Sequence, residues 1–371
     1  MSDTVVETKG FGTKMKNAFG GIIGGILMFI GGIGLLIYNE RQNTINIKDV
    51  AELRENVEEV ESDKVNNDDN DKLVVTSNKL DFEEEKLIDE TFKVSAISPL
   101  LVRTVEVYEW VEDKEEDEDS TRYTYEKKWK DELVKSSDFH EKEGHENPTS
   151  LAYESKSTES KVLKVGAYNL NSVYRKYLEA KTDISDLSEA TLPDNYKING
   201  KYITNSKDLD KPEVGDIRIS FAYANYDVVT VLGKINKDTI DEYITKKKSK
   251  ISYFIDGKHD SKYVIDEIEK SNNILKWVLR LIGTLLIIFG IYAFFGPITT
   301  LANYIPILGG LVGGALFLAS LLLGLAISLL VIAISWIVFR PLLGIALLAV
   351  VIVLLVLAKK ISSKNKTKDL T

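Results

Sequence analysis

The sequence predicts an α+β soluble domain with a mostly antiparallel sheet, inserted between one N-terminal and three C-terminal transmembrane helices. Apolar runs long enough to cross a bilayer lie only at the two ends of the 371-residue chain. Short alternating runs typical of strands fill the interval, with few helical crossovers between them. Charge follows the same division. The end regions hold 11 basic and 3 acidic residues, a net charge of +8. Since the whole chain has a net charge of −9, residues 39–273 carry −17.

The first apolar run predicts a retained transmembrane helix over residues 18–38. Its uncharged part, from Gly20 to Tyr38, reaches about 29 Å at about 1.5 Å per residue, close to the thickness of a bilayer core. It is longer than the apolar part of a secretory signal, and no small-residue cleavage site follows it. We therefore expect residues 1–17 to form a cytosolic tail ahead of an anchor.

The C-terminal part predicts spans at 274–296, 317–339 and 341–358, followed by a basic cytosolic tail at 359–371. The uninterrupted apolar run from 309 to 339 is too long for one upright helix, so we expect residues 297–316 to form an interfacial or re-entrant segment. Lysines in both tails indicate that the tails are cytosolic. Residues 39–273 are then the lumenal or extracellular acidic α+β domain.

Within that domain, apolar spacing predicts helices over 45–61, 168–179 and 260–272. Alternation predicts strands, of which the clearest are at 73–76, 102–111, 121–129, 217–223 and 228–233. The run of seven acids between 112 and 119 lies between two of these strands. It lacks EF-hand spacing, so we interpret it as a solvated hairpin tip in preference to a calcium site.

Glycines and cations in the spans suggest two membrane roles. Gly20, Gly21, Gly24 and Gly25 form two overlapping G-x-x-x-G pairs, which predict either self-association or packing against the later spans of the same chain. The candidate lipid-headgroup residues are Lys276, Arg280 and Arg340, for which snorkelling without a specific lipid is the plainer reading.

Composition excludes several functions. An acidic domain repels phosphates, so we expect no nucleic-acid partner. The absence of cysteine removes disulfides and thiolate chemistry. His140 and His145 lack the helical spacing of a zinc hydrolase, and no phosphate loop, dinucleotide fingerprint or nucleophile elbow occurs. We therefore predict no enzyme activity, no metal and no cofactor.

Aromatic residues alternate along two neighbouring predicted strands: Tyr108, Trp110, Tyr123, Tyr125 and Trp129. Alternation puts the aromatics of each strand on one side of it. Such a face either packs the sheet against a neighbouring layer or binds a ligand or acyl chain.

Two blocks of the sequence are similar to the transmembrane protein 43 (LUMA) family. The first contains R-T-V-E-V-Y-E-W-V at 103–111, T-R-Y-T-Y at 121–125, Trp129 and G-H-E-N-P at 144–148; the second is P-E-V-G-D-I-R-I-S-F at 212–221. Arg340-Pro341-Leu342 resembles the family's turn before the last span. The N-E-G-R of the family after the first span is Asn39-Glu40-Arg41-Gln42 here, and residues 156–210 have little to align.

The resemblance implies a candidate partner or ligand surface within these blocks. Its residues are Tyr108, Trp110, Arg122, Tyr123, Tyr125, Trp129, His145, Asn147, Pro148, Glu213, Gly215, Asp216 and Arg218. For the second block, a turn at the start of a strand competes with direct binding. In animals the resemblance implies a protein of the endoplasmic reticulum and inner nuclear membrane. Such a protein forms oligomers and has emerin and lamins as partners. A prokaryotic member would lie in the plasma membrane without them.

These observations favour a non-enzymatic membrane scaffold that contacts lipids, forms a homo-oligomer and presents its domain to membrane proteins. A membrane lipid or small-ligand sensor is the alternative, based on the aromatic face and on residues 297–316. A channel or transporter ranks lower, because we find no acid inside any predicted span.

Overall fold

The structure is a computed structural model, which describes residues 3–117, 119–305 and 308–341. It forms two compact units. Among the described residues, the sheet unit comprises 3–9 and Glu52–Ile265, and the helical unit comprises Gly10–Ala51 and 266–341. The predicted architecture is confirmed, because a mostly antiparallel α+β unit is inserted between apolar helices.

The described helices are α1 (Phe11–Asn56), α2 (Ser261–Phe294), α3 (Gly296–Ala302) and α4 (Leu308–Phe339). By length and composition, α1, α2 and α4 can each cross a membrane. The span predicted at 341–358 lies outside the described residues, apart from its first residue.

Two helices are longer than the sequence analysis predicted. The predicted first span and the predicted helix at 45–61 are joined in α1, whose 46 residues extend over about 69 Å. Residues 308–316, which we assigned to an interfacial segment, form the first turns of α4. Glycine pairs and Pro306 in this region do not prevent the helix, because the proline precedes its first residue.

The strands are β1 Asp3–Thr8, β2 Val57–Glu59, β3 Leu73–Asp81, β4 Lys86–Ile88, β5 Ser95–Ile97, β6 Leu100–Glu116, β7 Ser120–Lys130, β8 Lys156–Glu159, β9 Lys164–Val165, β10 Tyr168–Leu170, β11 Thr182–Asp183, β12 Lys197–Asn199, β13 Tyr202–Thr204, β14 Ile217–Tyr223, β15 Val228–Asn236, β16 Thr239–Asp241, β17 Tyr243–Ile244, β18 Lys250–Ile251 and β19 Tyr253–Asp256. Short 3₁₀ turns lie at Asn67–Asp69, Ser136–Asp138 and Ser172–Tyr177.

Two large sheets organise the sheet unit. The first has the order β1-β7-β6-β14-β13-β12, with β8 added to β6 and β11 added to β14. The second has the order β19-β15-β16-β10-β9-β3-β2, and β15 also pairs with β3. Only the β2–β3 and β10–β16 pairs among the described strands are parallel.

Each large sheet buries its own core cluster. The cluster on the first sheet includes Val105, Val107, Ile219 and Phe221, with Phe92 packed against them. The second cluster surrounds Tyr168 and Tyr174, with strand residues of β3 and β15. Alternation along β6 and β14 produces the first cluster, because every second side chain points to the same side of a strand.

The predicted helix at 168–179 is wrong. The chain there forms β10 and then a 3₁₀ turn whose cap, Asn171, accepts a hydrogen bond from the amide of Val173. The apolar spacing that resembled a helix reflects the burial of Tyr168 in a strand and of Tyr174 in the turn. Tertiary packing therefore decided this segment.

Strand β1 was not predicted. It pairs antiparallel with β7, from Asp3 opposite Tyr125 to Thr8 opposite Ser120. The sequence analysis assigned these residues to a tail separated by a bilayer from residues 39–273, and a shared ladder requires both strands on one side. The side of the membrane on which each segment lies stays a prediction.

Candidate functional site

The five aromatic residues of the β6–β7 hairpin lie on one face of the first sheet. The register places Tyr108 opposite Trp129, and Tyr125 and Tyr123 opposite two further even-numbered residues of β6. Directly opposed residues point to the same side of an antiparallel pair. We call Tyr108, Trp110, Tyr123, Tyr125 and Trp129 the aromatic face.

The loop after β7 covers one end of the aromatic face through two histidines. The His145 ring stacks on Tyr125, with centroids 3.9 Å apart, and meets Trp110 edge-on at 4.6 Å. The His140 ring stacks on Tyr123 at 4.0 Å. His145 is 4% exposed. Both histidines are therefore ring partners of the aromatic face.

Hydrogen bonds hold the same loop to the Tyr125 hydroxyl. The hydroxyl donates to Glu112 Oε2 at 2.7 Å and accepts from the Glu141 amide at 2.8 Å. The His140 amide donates to the same Glu112 oxygen. Burial, followed by the bond to Glu112, raises the pKa of Tyr125 to about 12. The hydroxyl therefore stays protonated and is suited to positioning the loop.

Asn147 continues the sheet beside β6, beyond Ile217, the first residue of β14. Its Oδ1 accepts from the Trp110 amide at 2.8 Å, and its Nδ2 donates to the Trp110 carbonyl at 2.8 Å and to the Val134 carbonyl at 3.1 Å. One side chain thus supplies the donor and the acceptor that a neighbouring strand would supply. Asn147 positions Trp110.

The second resemblance block forms a turn beside Tyr108. Gly215 has φ +96°, a conformation that favours glycine, and its amide donates to the Tyr108 carbonyl. The Tyr108 amide donates in turn to the Asp216 carbonyl, and Asp216 Oδ2 accepts from the Glu213 amide. Pro148 lies beside this turn, 3.7 Å from where a Cβ on Gly215 would be.

Arg218 joins this turn to the aromatic face. Its guanidinium makes two 2.7 Å bonds to Glu106 and lies 4.5 Å from the centre of the Trp129 ring and 5.1 Å from that of Tyr202. Arg122, by contrast, alternates with Tyr123 on the other side of β7 and is exposed. The structure thus brings together all the predicted surface residues except Arg122, which lies on the opposite side of the sheet.

A buried acid beneath this surface was not predicted. Glu109 is fully buried, and its Oε1 accepts from the Val134 amide at 3.0 Å. Its Oε2 has no hydrogen-bond partner among the described residues. Desolvation raises the pKa of Glu109, against the lowering effects of the Val134 amide and Lys130. Strict alternation with Val105 and Val107 was the sequence signal that placed it inward.

In the helical unit, the predicted glycines fall into two groups. A Cβ on Gly25 would lie 2.7 Å from Ala293 and 2.8 Å from the Gly290 carbonyl on α2, whereas Gly20, Gly21 and Gly24 have nothing within 4 Å among the described atoms. Gly25 therefore packs within the chain, whereas Gly20 and Gly24, one turn apart, form a face of α1 that meets no described atom.

The predicted headgroup cations surround a buried acid that the sequence analysis missed. Glu40 is 1% exposed and accepts from Arg280 Nε at 2.7 Å and from Trp336 Nε1 at 2.8 Å. Lys276 donates to Asn273, and Arg340 Nε donates to Thr44. Arg280 is thus the ion-pair partner of Glu40, and Lys276 and Arg340 lie nearby with other polar partners, so that α1, α2 and the end of α4 all contribute to the cluster.

Comparison with known proteins identifies similar sequences across most of the chain. A family profile described as Transmembrane protein 43 matches residues 107–341. A Transmembrane protein 43 from Rattus norvegicus is 28% identical over 277 residues, covering 69% of this chain and 68% of the relative. The protein of that name from Pongo abelii is 26% identical over 376 residues, covering 94% and 92%. A homologue from Drosophila melanogaster is 28% identical over 279 residues, covering 71% and 74%. No solved structure matches.

Proposed function

This chain belongs to the transmembrane protein 43 family, and on that premise we propose that it is a multi-pass membrane scaffold that self-associates and presents its sheet unit to partner proteins. It is an integral membrane protein with three described helices that can span a bilayer. Its family is not a known enzyme family, and we propose a non-catalytic role. In a eukaryotic cell we propose the endoplasmic reticulum and inner nuclear membrane as its location, and in a prokaryote the plasma membrane.

The observation that carries this proposal is the presence of two glycine faces on α1. One face, with Gly25 and Gly32, is in contact with α2. The other, with Gly20 and Gly24, meets no described atom. Small residues let helix backbones approach closely in lipid. Close packing matters there because lipid tails are as apolar as the side chains, so that hydrophobic burial does not drive helices together. We propose that the second face contacts a second copy of the chain.

Crosslinking in native membranes tests self-association. The wild type is expected to give dimers or larger species, and Gly20→Leu with Gly24→Leu is expected to remove them by blocking close approach. The matched control is Ile26→Leu, which exchanges one exposed apolar side chain of α1 for another. Monomer alone in the wild type, or unchanged crosslinking in the double variant, would contradict the proposal.

A second candidate function, lipid sensing, is favoured by the charges around Glu40. One carboxylate compensates only one of the three cations, and the exposed Trp277 ring lies 4.8 Å from the Arg280 guanidinium. Tryptophan and basic side chains are typical of the headgroup level. Native mass spectrometry with an anionic phospholipid is expected to show bound lipid that is reduced in Lys276→Ala. Binding that is equal in wild type and variant would exclude a role for this cluster.

A further inference from the structure

The outer edge of β7 is a strand-binding slot in the sheet unit. Six consecutive residues, Asp3–Thr8, occupy it in antiparallel register. Lys9 extends the contact, because its amide donates to the Asp119 carbonyl and its ammonium group contacts Glu116 and the Asp117 carbonyl. Main-chain hydrogen bonds of this kind accept any extended peptide whose side chains fit.

One wall of the slot is chemically selective. Alternate residues of the bound strand point toward the covering loop, so that Asp3 Oδ2 lies 3.9 Å from His145 Nε2 and Glu7 Oε1 lies 3.5 Å from His140 Nε2. Val5, between them, is opposite Tyr123. The pattern that fits is a carboxylate, an apolar side chain and a second carboxylate at every second position.

The predicted topology, in which α1 crosses the membrane, would remove the present occupant from this slot. Two residues separate the end of β1 from the start of α1, and β2 starts directly after α1 ends. When α1 crosses a bilayer, β1 and β2 lie on opposite sides, and the edge from Ser120 to Tyr125 loses β1. An exposed edge strand with unpaired amide and carbonyl groups readily pairs with another chain.

We propose that the β7 edge binds an extended segment of a partner protein that carries acidic side chains on either side of an apolar one, and that β1 occupies the position of this segment in the structure. The inference deepens the proposed function, on which it rests, by naming where and how a partner is held. The aromatic face and its two histidines then act as the wall of the partner site.

Peptide binding to the full chain in lipid nanodiscs tests the slot. The probe is a fluorescent peptide with the sequence of residues 3–9, measured by anisotropy against the wild type and against a Val5→Pro protein, whose own β1 cannot complete the ladder. We expect binding to both proteins, because the proposal leaves the slot free of β1 in each; binding to the Val5→Pro protein alone would show that β1 fills the wild-type slot and would overturn the partner assignment. A peptide that itself carries Val5→Pro should bind at least about tenfold more weakly, and a peptide with Asp3→Asn and Glu7→Gln about two- to fivefold more weakly.

Each outcome has a defined meaning. No binding to either protein, or equal binding of the native and proline peptides, would overturn the slot. Loss of crosslinked oligomers in the glycine variants is measured separately, so a failed scaffold and a failed slot can be distinguished.

The cysteine-free chain allows a test of competing occupants. Thr4 and Thr124 are directly paired, so a Thr4→Cys, Thr124→Cys protein reports which strand occupies the edge in nanodiscs. We expect little disulfide, because the predicted topology places β1 and β7 on opposite sides of the bilayer. A complete intramolecular disulfide would show that β1 fills the slot permanently, and an intermolecular disulfide would show that a second copy fills it; either result overturns the partner assignment.

Discussion

The sheet unit and the helical unit achieve close packing with opposite kinds of residue. In the sheet unit, large side chains such as Phe92, Tyr174 and Phe221 are fully buried in two cores. In the helical unit, glycines of α1 and α2 lie in close backbone contact, and the buried acid Glu40 is paired with arginine and tryptophan. The difference follows from the solvent. Burial of apolar side chains away from water stabilises the sheet unit, whereas lipid gives no such driving force. Helices in lipid therefore associate through close contact and polar pairs.

Breaking the Glu40–Arg280 pair is expected to have the largest effect. Arg280→Ala leaves a buried carboxylate without its counter-ion and should cost about 3–5 kcal/mol, measured as the free energy of unfolding in detergent. Lys276→Ala is the control, since Lys276 donates only to Asn273 in the described structure. A Glu40→Leu, Arg280→Leu double variant should recover most of the loss. An Arg280→Ala protein within 1 kcal/mol of wild type would refute the importance of the pair.

A core truncation should discriminate between the two units. Ile219→Ala leaves a cavity in the first core and is expected to cost about 2–5 kcal/mol. Leu329→Ala in α4 removes a side chain that is 66% exposed and should change stability much less. Chemical unfolding followed by circular dichroism measures both. Equal losses would mean that Leu329 is buried by a contact beyond the described residues.

Adjacent glycines of α1 offer a matched test of close packing. A Cβ on Gly32 would lie 2.7 Å from the Gly283 carbonyl, whereas a Cβ on Gly31 meets nothing within 4 Å. Gly32→Ala should therefore cost about 1–3 kcal/mol through overpacking, and Gly31→Ala should be neutral or stabilise the helix by up to about 1 kcal/mol. Thermal unfolding in one detergent compares them. Reversed signs would contradict the α1–α2 contact.

In the sheet unit, the corresponding polar contact is Asn147. Asn147→Asp keeps the acceptor for the Trp110 amide and removes the donor to the Trp110 and Val134 carbonyls, which should cost about 1–3 kcal/mol. Tryptophan fluorescence during unfolding reports the change near Trp110. The control is Asn169→Asp, because Asn169 donates at an exposed site to Asp238. An Asn147→Asp protein as stable as this control would show that the Asn147 donor contributes little to holding the loop.

The smallest effect concerns pH. Because the folded-state pKa of Glu109 is raised by desolvation, its contribution to stability is present below the unfolded pKa and is lost as pH rises through the folded pKa. Glu109→Gln should remove this dependence and raise Tm at pH 8, by about 2–4 °C for each kcal/mol gained. The melting temperature measured from pH 4 to pH 8 checks it. Parallel curves for the two proteins would show that Glu109 is not the source.

Local patterns predicted the elements that one strand or helix determines by itself. Alternation along β6 and β7 is strong because each strand is long and one side is buried, so both the hairpin and its aromatic face were foreseen. Apolar length similarly predicted the helices. Strands of two or three residues, such as β9 and β11, lie below the length at which alternation can be recognised.

Contacts between distant segments could not be predicted in this way. Strand β1 is defined by β7, more than a hundred residues away, and nothing in its own six residues names that partner. Asn147 was identified by resemblance, yet its bonds to Trp110 replace those of a neighbouring strand only because β14 begins at Ile217 and does not reach Trp110. Glu40 was missed because it lies just beyond an uncharged run, and only the arrival of Arg280 and Trp336 shows that it is buried.

The pairing of Glu40 has a consequence for biosynthesis. Its two partners follow 240 and 296 residues later in the chain, and at about 5–20 residues per second the ribosome reaches Arg280 about 12–50 s after Glu40. Throughout that interval the nascent first helix carries a carboxylate without its guanidinium. We therefore expect the contact between Glu40, Arg280 and Trp336 to form only after the later helices have been translated, and a nascent chain truncated before residue 280 lacks it.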